Sequence, residues 1–394
     1  MNDAETVRAS SVLAAGMPAR RIIQDRLDKP LDLFTHHPNL PVTLKLSVMR
    51  INIRLFCEKE REGVMPPFLV LFTQLSRFLF MRMLIPTIIL LAAIFIPSAS
   101  PLRGQDNSTY NFLGLDVGAR AAALGGGFVT MTDDANAIFY NPAGLATLTQ
   151  KRVSFGFLKH LLDINAGHAS VGTEVPNLGF VGAGIVYINY GEFNRTGEEG
   201  EDLGTFGAGE LAMTVGYAGL LQPGLDYGVN AKFIYSSIAE ARSSAAALDF
   251  GVQYVAVPER MTVGASLLNL GTQLDPYLNT RENLPLDLRI GVSLYPEHLP
   301  AVLMISLDKV NEHQDSFGRR FRAFAIGVEL APGPNVHLRV GYNNERRQDF
   351  KILSGSGLAG FSIGGGINTD MYNIDYAFSS FGQIGAVHRV TISF

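Results

Sequence analysis

The sequence predicts an all-β protein, a transmembrane antiparallel β-barrel of about 14 strands with an N-terminal segment that plugs it. Three observations predict this fold. Residues 388–394 alternate between polar and apolar side chains and end on an aromatic residue, Phe394. Most of the chain after residue 150 alternates in the same way. Only 17% of the residues are charged, whereas a soluble globular protein has roughly 25%.

The first 104 residues are predicted to direct export rather than to form part of the barrel. A short basic stretch, 81–83, precedes the apolar run 84–96, and small residues follow it. This run is shorter than the roughly 20 apolar residues of a membrane-spanning helix, and its flanks are typical of a secretory signal. We therefore predict a signal peptide at 81–104 and a mis-called or unstructured extension at 1–80. The alternative is a genuine N-terminal region with membrane segments at 67–80 and 83–97.

Residues 151–394 are predicted to form the barrel because side chains alternate with a period of two, which places neighbours on opposite faces of a sheet. In 286–294 the alternation is unbroken. The candidate strands are 152–158, 164–175, 178–190, 207–218, 225–238, 245–257, 261–270, 286–295, 301–310, 321–330, 336–343, 358–367, 372–379 and 388–394. Most are close to the 9–11 residues that a tilted strand needs to cross the hydrocarbon layer, and bacterial barrels favour even strand counts.

The connections between these strands predict which end of the barrel faces which side. Short turns with proline, expected on the periplasmic side, occur at 222–224, 257–259, 295–297 and 332–334. Longer polar links, expected outside the cell, occur at 191–206, 271–285, 311–320 and 344–357. A soluble β-sandwich is the competing fold. It is disfavoured because the second face of the strands is largely small or uncharged, and because aromatic residues gather near strand ends, as in membrane barrels.

Residues 105–150 differ from the strands because they are apolar, small and rich in turn residues, without alternation. This segment is too hydrophobic for a free tail, so we predict that it lies inside the barrel as a plug of short helices and tight turns. The run 141–144 suits such a turn. Asn141 would cap it, Pro142 would fix φ, and Gly144 would be free to take a positive φ.

The same segment resembles the PorV/PorQ family of outer-membrane proteins from Bacteroidetes and related bacteria. Residues 118–129 and 133–145 match the family's pattern nearly throughout, with Gly127 where alanine is usual, and the closing strand 388–394 is also similar. The resemblance implies a plug or hatch motif made of Gly118, Ala119, Arg120, Gly125, Gly126, Asp133, Asp134, Asn141, Pro142, Ala143 and Gly144. The Asn-Pro-Ala turn also resembles that of FadL-type fatty-acid transporters, which are fourteen-stranded barrels with an N-terminal hatch.

This resemblance implies a location in the cell outer membrane of a Bacteroidetes- or Chlorobi-like lineage. It implies a non-enzymatic role in type IX secretion, in the delivery or surface attachment of cargo proteins. The expected partners are outer-membrane lipid, the barrel-assembly machinery, which would read Phe394 as its signal, and secretion-system or cargo proteins. The alternative is a FadL-like transporter of hydrophobic small molecules. A transporter needs an apolar pocket of about 300–1,000 Å³ that reaches the hatch, whereas a secretion partner can have a filled lumen.

No motif in the sequence indicates an enzyme, a cofactor or a metal. Cys57 is the only cysteine, and no Cys/His cluster has the spacing of zinc ligands. The run 355–360 fits a dinucleotide-binding motif but leads into a strand rather than a helix. Asp133 and Asp134 are adjacent, so a turn or capping role is favoured over paired catalysis. The net charge of −4 and the lack of a basic stripe argue against nucleic acid as a partner.

Overall fold

The computed structural model describes residues 109–159, 164–278, 280–312, 321–350 and 357–394. The predictions for 1–80, for the signal peptide at 81–104 and for Cys57 lie outside these residues. Within them, fourteen antiparallel strands form a closed barrel in which each strand pairs with its sequence neighbours and the last pairs with the first. The predicted antiparallel barrel of about 14 strands is confirmed.

The strands are β1 Arg152–Lys159, β2 Asn165–Val175, β3 Gly179–Thr196, β4 Asp202–Gln222, β5 Leu225–Ile238, β6 Ala241–Val257, β7 Met261–Asp275, β8 Asp287–Leu294, β9 Ala301–Leu307, β10 Phe324–Gly333, β11 Val336–Asn343, β12 Phe361–Asn368, β13 Asn373–Ser380 and β14 Ala386–Ser393. Two α-helices, α1 Ala119–Ala123 and α2 Asn344–Asp349, accompany them. Short 3-10 helices lie at Asn111–Gly114, Ala135–Phe139, Pro142–Thr147 and Gly382–Ile384. None of the helices in the described part of the chain is long and apolar enough to cross a membrane.

The barrel closes where β14 meets β1, as the sequence pattern predicts. The Val153 amide donates to the Phe394 carbonyl at 3.0 Å, and the Phe394 amide donates to the Val153 carbonyl at 2.8 Å. Val390, Ile392 and Phe394 are exposed on the outer face, whereas Arg389 and Thr391 are buried inside. A closed sheet leaves no backbone edge unpaired, and its apolar outer face matches the surface that a barrel presents to lipid.

The prediction of an outer loop at 191–206 is wrong, because strands occupy most of these residues. β3 has 18 residues and β4 has 21, and only a tight turn separates them. The pairing register shifts between Asn189 and Glu192, and Gly191 and Gly204 adopt positive φ. This extended hairpin is largely exposed on both faces, so the sequence shows no clean alternation there. The predicted loop 271–285 is shortened in the same way, because β7 continues to Asp275.

Strand direction defines two ends of the barrel. The short-turn end contains the turns at 176–178, 223–224, 258–260, 295–300, 334–335 and 369–372. The long-loop end contains the connections between β1 and β2, β3 and β4, β5 and β6, β7 and β8, β9 and β10, β11 and β12, and β13 and β14. The first residues of β1 and the last of β14 lie at the short-turn end. The assignment of this end to the periplasmic side stays a prediction.

Deleting Phe394 is expected to impair assembly of the barrel, because it removes both backbone hydrogen bonds to Val153 and the outward aromatic side chain of the closing strand. The amount of folded, heat-modifiable protein in the outer-membrane fraction should fall several-fold. Phe394→Tyr, which keeps the ring and the backbone pairing, is the matched control and should assemble normally. Normal assembly of the deletion variant would contradict this prediction.

Candidate functional site in the barrel interior

The half of the interior nearest the long-loop end contains a cluster of apolar side chains, which we name the apolar chamber. Its strand residues point inward and are all at least nine-tenths buried: Leu158, Ala166, Ile188, Ala212, Ile234, Ala245, Ala247 and Val387. Leu284 and Phe381, from the connections at the long-loop end, belong to the same cluster. Water-filled barrels have a polar interior, so this lining is suited to apolar contents instead.

The apolar chamber is occupied by residues 110–115 of the same chain. Tyr110 and Phe112 are buried in the chamber's cluster, and Leu113 and Leu115 pack against it. The Tyr110 hydroxyl lies 2.5 Å from Ser243 Oγ, and Gln273 Nε2 donates to it at 3.5 Å. The cavities left beside Leu115 and Val117 measure about 20 and 30 Å³, which is room for one or two water molecules. Both cavities are far smaller than the pocket of about 300–1,000 Å³ that a transporter is expected to need, because residues 110–115 occupy the space.

Residues 116–148 fill the rest of the interior and bond to strands on several sides of the barrel. Asn136 donates to Ser154 Oγ of β1 at 3.0 Å and accepts from Ser170 Oγ of β2 at 2.9 Å. The Ile138 carbonyl accepts from Asn230 of β5 at 2.8 Å. The Ala119 amide donates to Thr391 Oγ1 of β14 at 2.9 Å. These bonds hold the segment to the inner wall.

Glycines on the inner wall make room for this segment. A Cβ atom at Gly341 of β11 would lie 2.3 Å from the Gly125 amide nitrogen, and one at Gly228 of β5 would lie 2.3 Å from the Pro142 carbonyl carbon. Real Cβ atoms do not approach that closely, so no larger residue fits without moving the segment. In α1, Ala119, Ala122 and Ala123 pack against Ala377 of β13. The small residues that the sequence pattern singled out are therefore packing residues.

The turn at Asn141 forms as predicted. The reason why glycine stands at position 144, however, differs from the predicted one. Asn141 caps the 3-10 helix Pro142–Thr147 by accepting from the Ala143 amide at 3.1 Å. Its side-chain amide donates to the carbonyls of Val129 at 2.8 Å and Val252 at 3.1 Å. Gly144 does not adopt a positive φ. It is needed because a Cβ there would lie 2.7 Å from the Ala137 methyl group. Positive φ occurs instead at the other motif glycines, Gly118, Gly125 and Gly126.

Arg120 joins the segment to a buried network of charges on the wall. Its Nε and Nη2 atoms donate to the two carboxylate oxygens of Glu329 at 2.9 and 2.8 Å. Glu329 also accepts from Arg339 Nε at 2.6 Å, and Arg339 donates to Asp375 at 2.5 Å. Paired donation by a guanidinium to one carboxylate is among the stronger polar contacts in proteins. Burial alone would lower the pKa of Arg120, but the facing Glu329 carboxylate outweighs burial and raises it.

The two adjacent aspartates of the motif face different partners. Asp134 lies 3.5 Å from Arg120 and also caps the Asn136 amide at 2.9 Å. Burial raises the pKa of Asp134, and the Arg120 guanidinium opposes that rise. Asp133 instead accepts from Arg152 at 2.6 Å and from the Thr149 amide at 3.1 Å. The pair therefore has no shared target, and each carboxylate fixes a separate stretch of the segment.

A second ion pair ties the segment to α2 at the long-loop end. Arg346 donates to Asp116 at 2.5 Å, and both side chains are nearly buried. Burial alone would raise the pKa of Asp116, but Arg346 and Arg389 together lower it. Asn343, which caps α2, also donates to the Gly125 carbonyl at 2.9 Å. The segment is thus held by charge at two levels of the barrel.

A cavity of about 270 Å³ opens at the short-turn end, next to the Arg120 network. Its lining is strongly polar and includes Arg120, Asp134, His337, Arg339 and Asp375. Among the described residues, no group of three or more His, Cys, Asp or Glu side chains is arranged to hold a metal ion. The short-turn end therefore has a polar cavity, whereas the long-loop half contains the apolar chamber beside the Asp116–Arg346 ion pair.

Comparison with known proteins gives only distant likenesses. No protein-family model matches the chain, and no curated protein matches it. The toluene transporter TodX of Pseudomonas putida is 12% identical with a TM-score of 0.47, over 70% of this chain and 96% of that chain. The toluene transporter TbuX of Ralstonia pickettii gives the same four values. A Pseudomonas aeruginosa FadL homologue is 8% identical with a TM-score of 0.45, over 71% of this chain and 98% of that chain. These likenesses are too weak to assign the chain to a family or a function.

Replacing Arg120 with glutamine is expected to loosen the segment, because Glu329 loses both hydrogen bonds from the guanidinium while keeping those from Arg339. We expect a loss of about 2 kcal/mol in the free energy of unfolding and a higher leak of small ions through the barrel in liposomes. The control is Arg260→Gln, which breaks the exposed Arg260–Glu297 pair and should cost less than about 1 kcal/mol. Equal effects of the two variants would refute the role given to Arg120.

Proposed function

We propose that this protein is a non-enzymatic outer-membrane transporter of hydrophobic small molecules, in which residues 110–115 occupy the substrate's place until a substrate displaces them. One observation carries the proposal: the apolar chamber inside the barrel is filled by Phe112, Leu113 and Leu115. An apolar chamber in an aqueous lumen does not stabilise a hydrophilic solute. It does lower the free energy of an apolar solute, because it removes that solute's surface from water.

The way in which the segment is held supports movement of 110–115 alone. Residues 119–148 are fixed by the Arg120 network, by close packing against wall glycines and by hydrogen bonds to several strands. Residues 110–115 are held by apolar contact with the chamber's cluster and by polar contacts at Tyr110 and Asn111, and just before them the Thr109 hydroxyl donates to Glu282. Gly118, with a φ of 86°, stands between the two parts. A substrate that competes for the chamber can therefore displace the first part while the second stays in place.

The chamber's own walls support the same function. Four of the wall residues are alanines, at 166, 212, 245 and 247, so the space between the walls is taken by the larger side chains of the segment. Withdrawal of these side chains would leave a pocket of the size of a small ligand without any change in the strands. The long-loop end, next to which the chamber lies, would admit the substrate.

The PorV/PorQ resemblance keeps secretion, with cargo proteins as partners, as a second candidate function. The observation that favours it is the filled lumen, because a protein that acts through its surface needs no open path. The extended β3–β4 hairpin adds an exposed acidic tip with Glu198, Glu199, Glu201 and Asp202. Under this candidate function the barrel-assembly machinery and outer-membrane lipid remain expected partners, as they do for a transporter.

Uptake assays separate the two functions. Cells that lack the gene should take up a radiolabelled apolar compound such as toluene more slowly, and complementation should restore the rate. The double variant Phe112→Ala and Leu115→Ala should raise uptake several-fold above the wild type, because it empties part of the chamber. Leu299→Ala, which shortens an exposed side chain at the short-turn end, is the control and should leave uptake unchanged. Unchanged uptake in the deletion strain, with altered surface proteins, would overturn transport in favour of secretion.

A further inference from the structure

A layer of inner-facing side chains lies next to the apolar chamber, one step closer to the long-loop end, and we name it the mouth layer. On β3 to β6 its members stand two positions along the strand from the chamber residues Ile188, Ala212, Ile234 and Ala245, and they are Tyr190, Glu210, Ser236 and Ser243. The strand register makes them neighbours, because Glu210 pairs with Ser236, and Ser236 pairs with Ser243. A ligand in the chamber would therefore have the mouth layer beside it.

Glu210 is the charged residue of the mouth layer, and its partners are hydroxyl groups. The Tyr190 hydroxyl donates to Glu210 Oε2 at 2.5 Å, and Ser236 Oγ donates to Glu210 Oε1 at 3.1 Å. The Tyr277 hydroxyl donates in turn to Ser236. Within the parts of the chain that the structure describes, no lysine, arginine or histidine forms an ion pair with Glu210. A carboxylate has about four acceptor positions, so some of those of Glu210 remain available.

Other carboxylates of the interior differ from Glu210 because they face a cation. They form the ion pairs Asp116–Arg346, Asp249–Lys232, Asp287–Arg289, Glu329–Arg120 and Asp375–Arg339. A half-buried carboxylate has lost part of its hydration, and a cation that donates hydrogen bonds compensates this loss better than a neutral group. The mouth layer thus presents an anion to the chamber without a cation of its own.

Residues 110–115 contact the chamber and the mouth layer at the same time. The Tyr110 side chain is buried in the chamber's cluster, and its hydroxyl lies 2.5 Å from Ser243 Oγ of the mouth layer. Gln273 Nε2 donates to both hydroxyls, at 3.5 Å to Tyr110 and at 3.3 Å to Ser243. Displacement of the segment would therefore uncover apolar walls and polar groups together. A ligand that replaces it needs an apolar body and a polar head, and Glu210 favours a head with positive charge.

We propose that Glu210 binds the ammonium group of a substrate whose remaining body is apolar, so that the transported class is the apolar amines. An ammonium group has three N–H donors and would form a charge-assisted hydrogen bond with the Glu210 carboxylate. The apolar body would take the place of Phe112 and Leu113 in the chamber. An apolar carboxylate would meet a like charge at Glu210 and bind less well. This inference rests on the proposed transport function and names its substrate class.

A binding measurement with two ligands that differ only in their head groups tests the proposal. The full protein is reconstituted in phosphatidylcholine nanodiscs, whose lipid has no net charge. Equilibrium dialysis at neutral pH measures the binding of radiolabelled octylamine and octanol, with empty nanodiscs subtracted. We expect octylamine to bind the wild type about tenfold more tightly than octanol. Glu210→Gln keeps an acceptor oxygen for Tyr190 and Ser236 but removes the charge, so it should abolish this preference while octanol binding persists.

Asp226→Asn is the matched control, because Asp226 is a buried carboxylate near the start of β5, at the short-turn end. This variant should keep the wild-type preference for octylamine. Loss of the preference in both variants would overturn the site, because net charge alone would then explain it. A preference that survives Glu210→Gln would overturn it as well.

The wild-type result separates this site from the transport function. If octylamine and octanol bind the wild type equally well, the Glu210 site is refuted and transport of neutral apolar molecules stands. If neither ligand binds, both the site and the transport proposal fail. If Glu210→Gln does not assemble, Glu210→Asp takes its place. It withdraws the carboxylate by one methylene group and should weaken the binding of octylamine but not that of octanol.

Discussion

The pairing of β14 with β1 is the constraint on which the rest of the molecule depends. Hydrocarbon offers no partner for a free backbone group, so the sheet must close on itself. Closure with 14 strands sets an interior wider than side chains alone can fill, because eight-stranded barrels are already at that limit. Additional polypeptide must enter the barrel, or water will. In this protein residues 110–148 enter it.

The residues that fill the interior form two parts, which are held by different kinds of interaction. Near the short-turn end, buried ion pairs and close contacts with wall glycines give a fixed arrangement, in which moving one group would leave a charge unpaired. Near the long-loop end, apolar side chains contact apolar walls, and such contacts are not directional. An apolar ligand can replace an apolar side chain there at little cost. The fixed part therefore keeps the barrel closed, and the apolar part is the one that a ligand would displace to open it.

The barrel was predictable because the side chains of nearly every strand alternate with a period of two, with apolar residues on the outer face. The closing pairs at Val153 and Phe394 followed from the alternation of the last strand. The β3–β4 hairpin was missed because its outer part is exposed on both faces, which removes the alternation, and the bulge near Glu192 shifts the phase. Strand ends elsewhere moved by up to five residues, as at Ala241 of β6 and Asp275 of β7.

The interior was less predictable, because contacts inside a barrel join residues far apart in sequence. The motif containing Arg120 and Asn141 was found from its composition, but no local signal identified Glu329 or Arg346 as partners. Arg339 and Asp375 lie on different strands, and nothing in the sequence near either residue identifies the other as its partner. The apolar chamber was missed altogether, because a lone alanine or leucine on an inner face looks like any other small or apolar residue until the strands are placed side by side.

Hydrogen exchange of the full protein in nanodiscs, with and without octanol or octylamine, tests the central claim most directly. If the ligand takes the place of residues 110–115, the amides of these residues should exchange much faster in its presence. Those of α1, beside the Arg120 network, should stay protected. Slow exchange throughout 110–115 under saturating ligand would contradict the account, because the segment would then be a permanent part of the barrel's core.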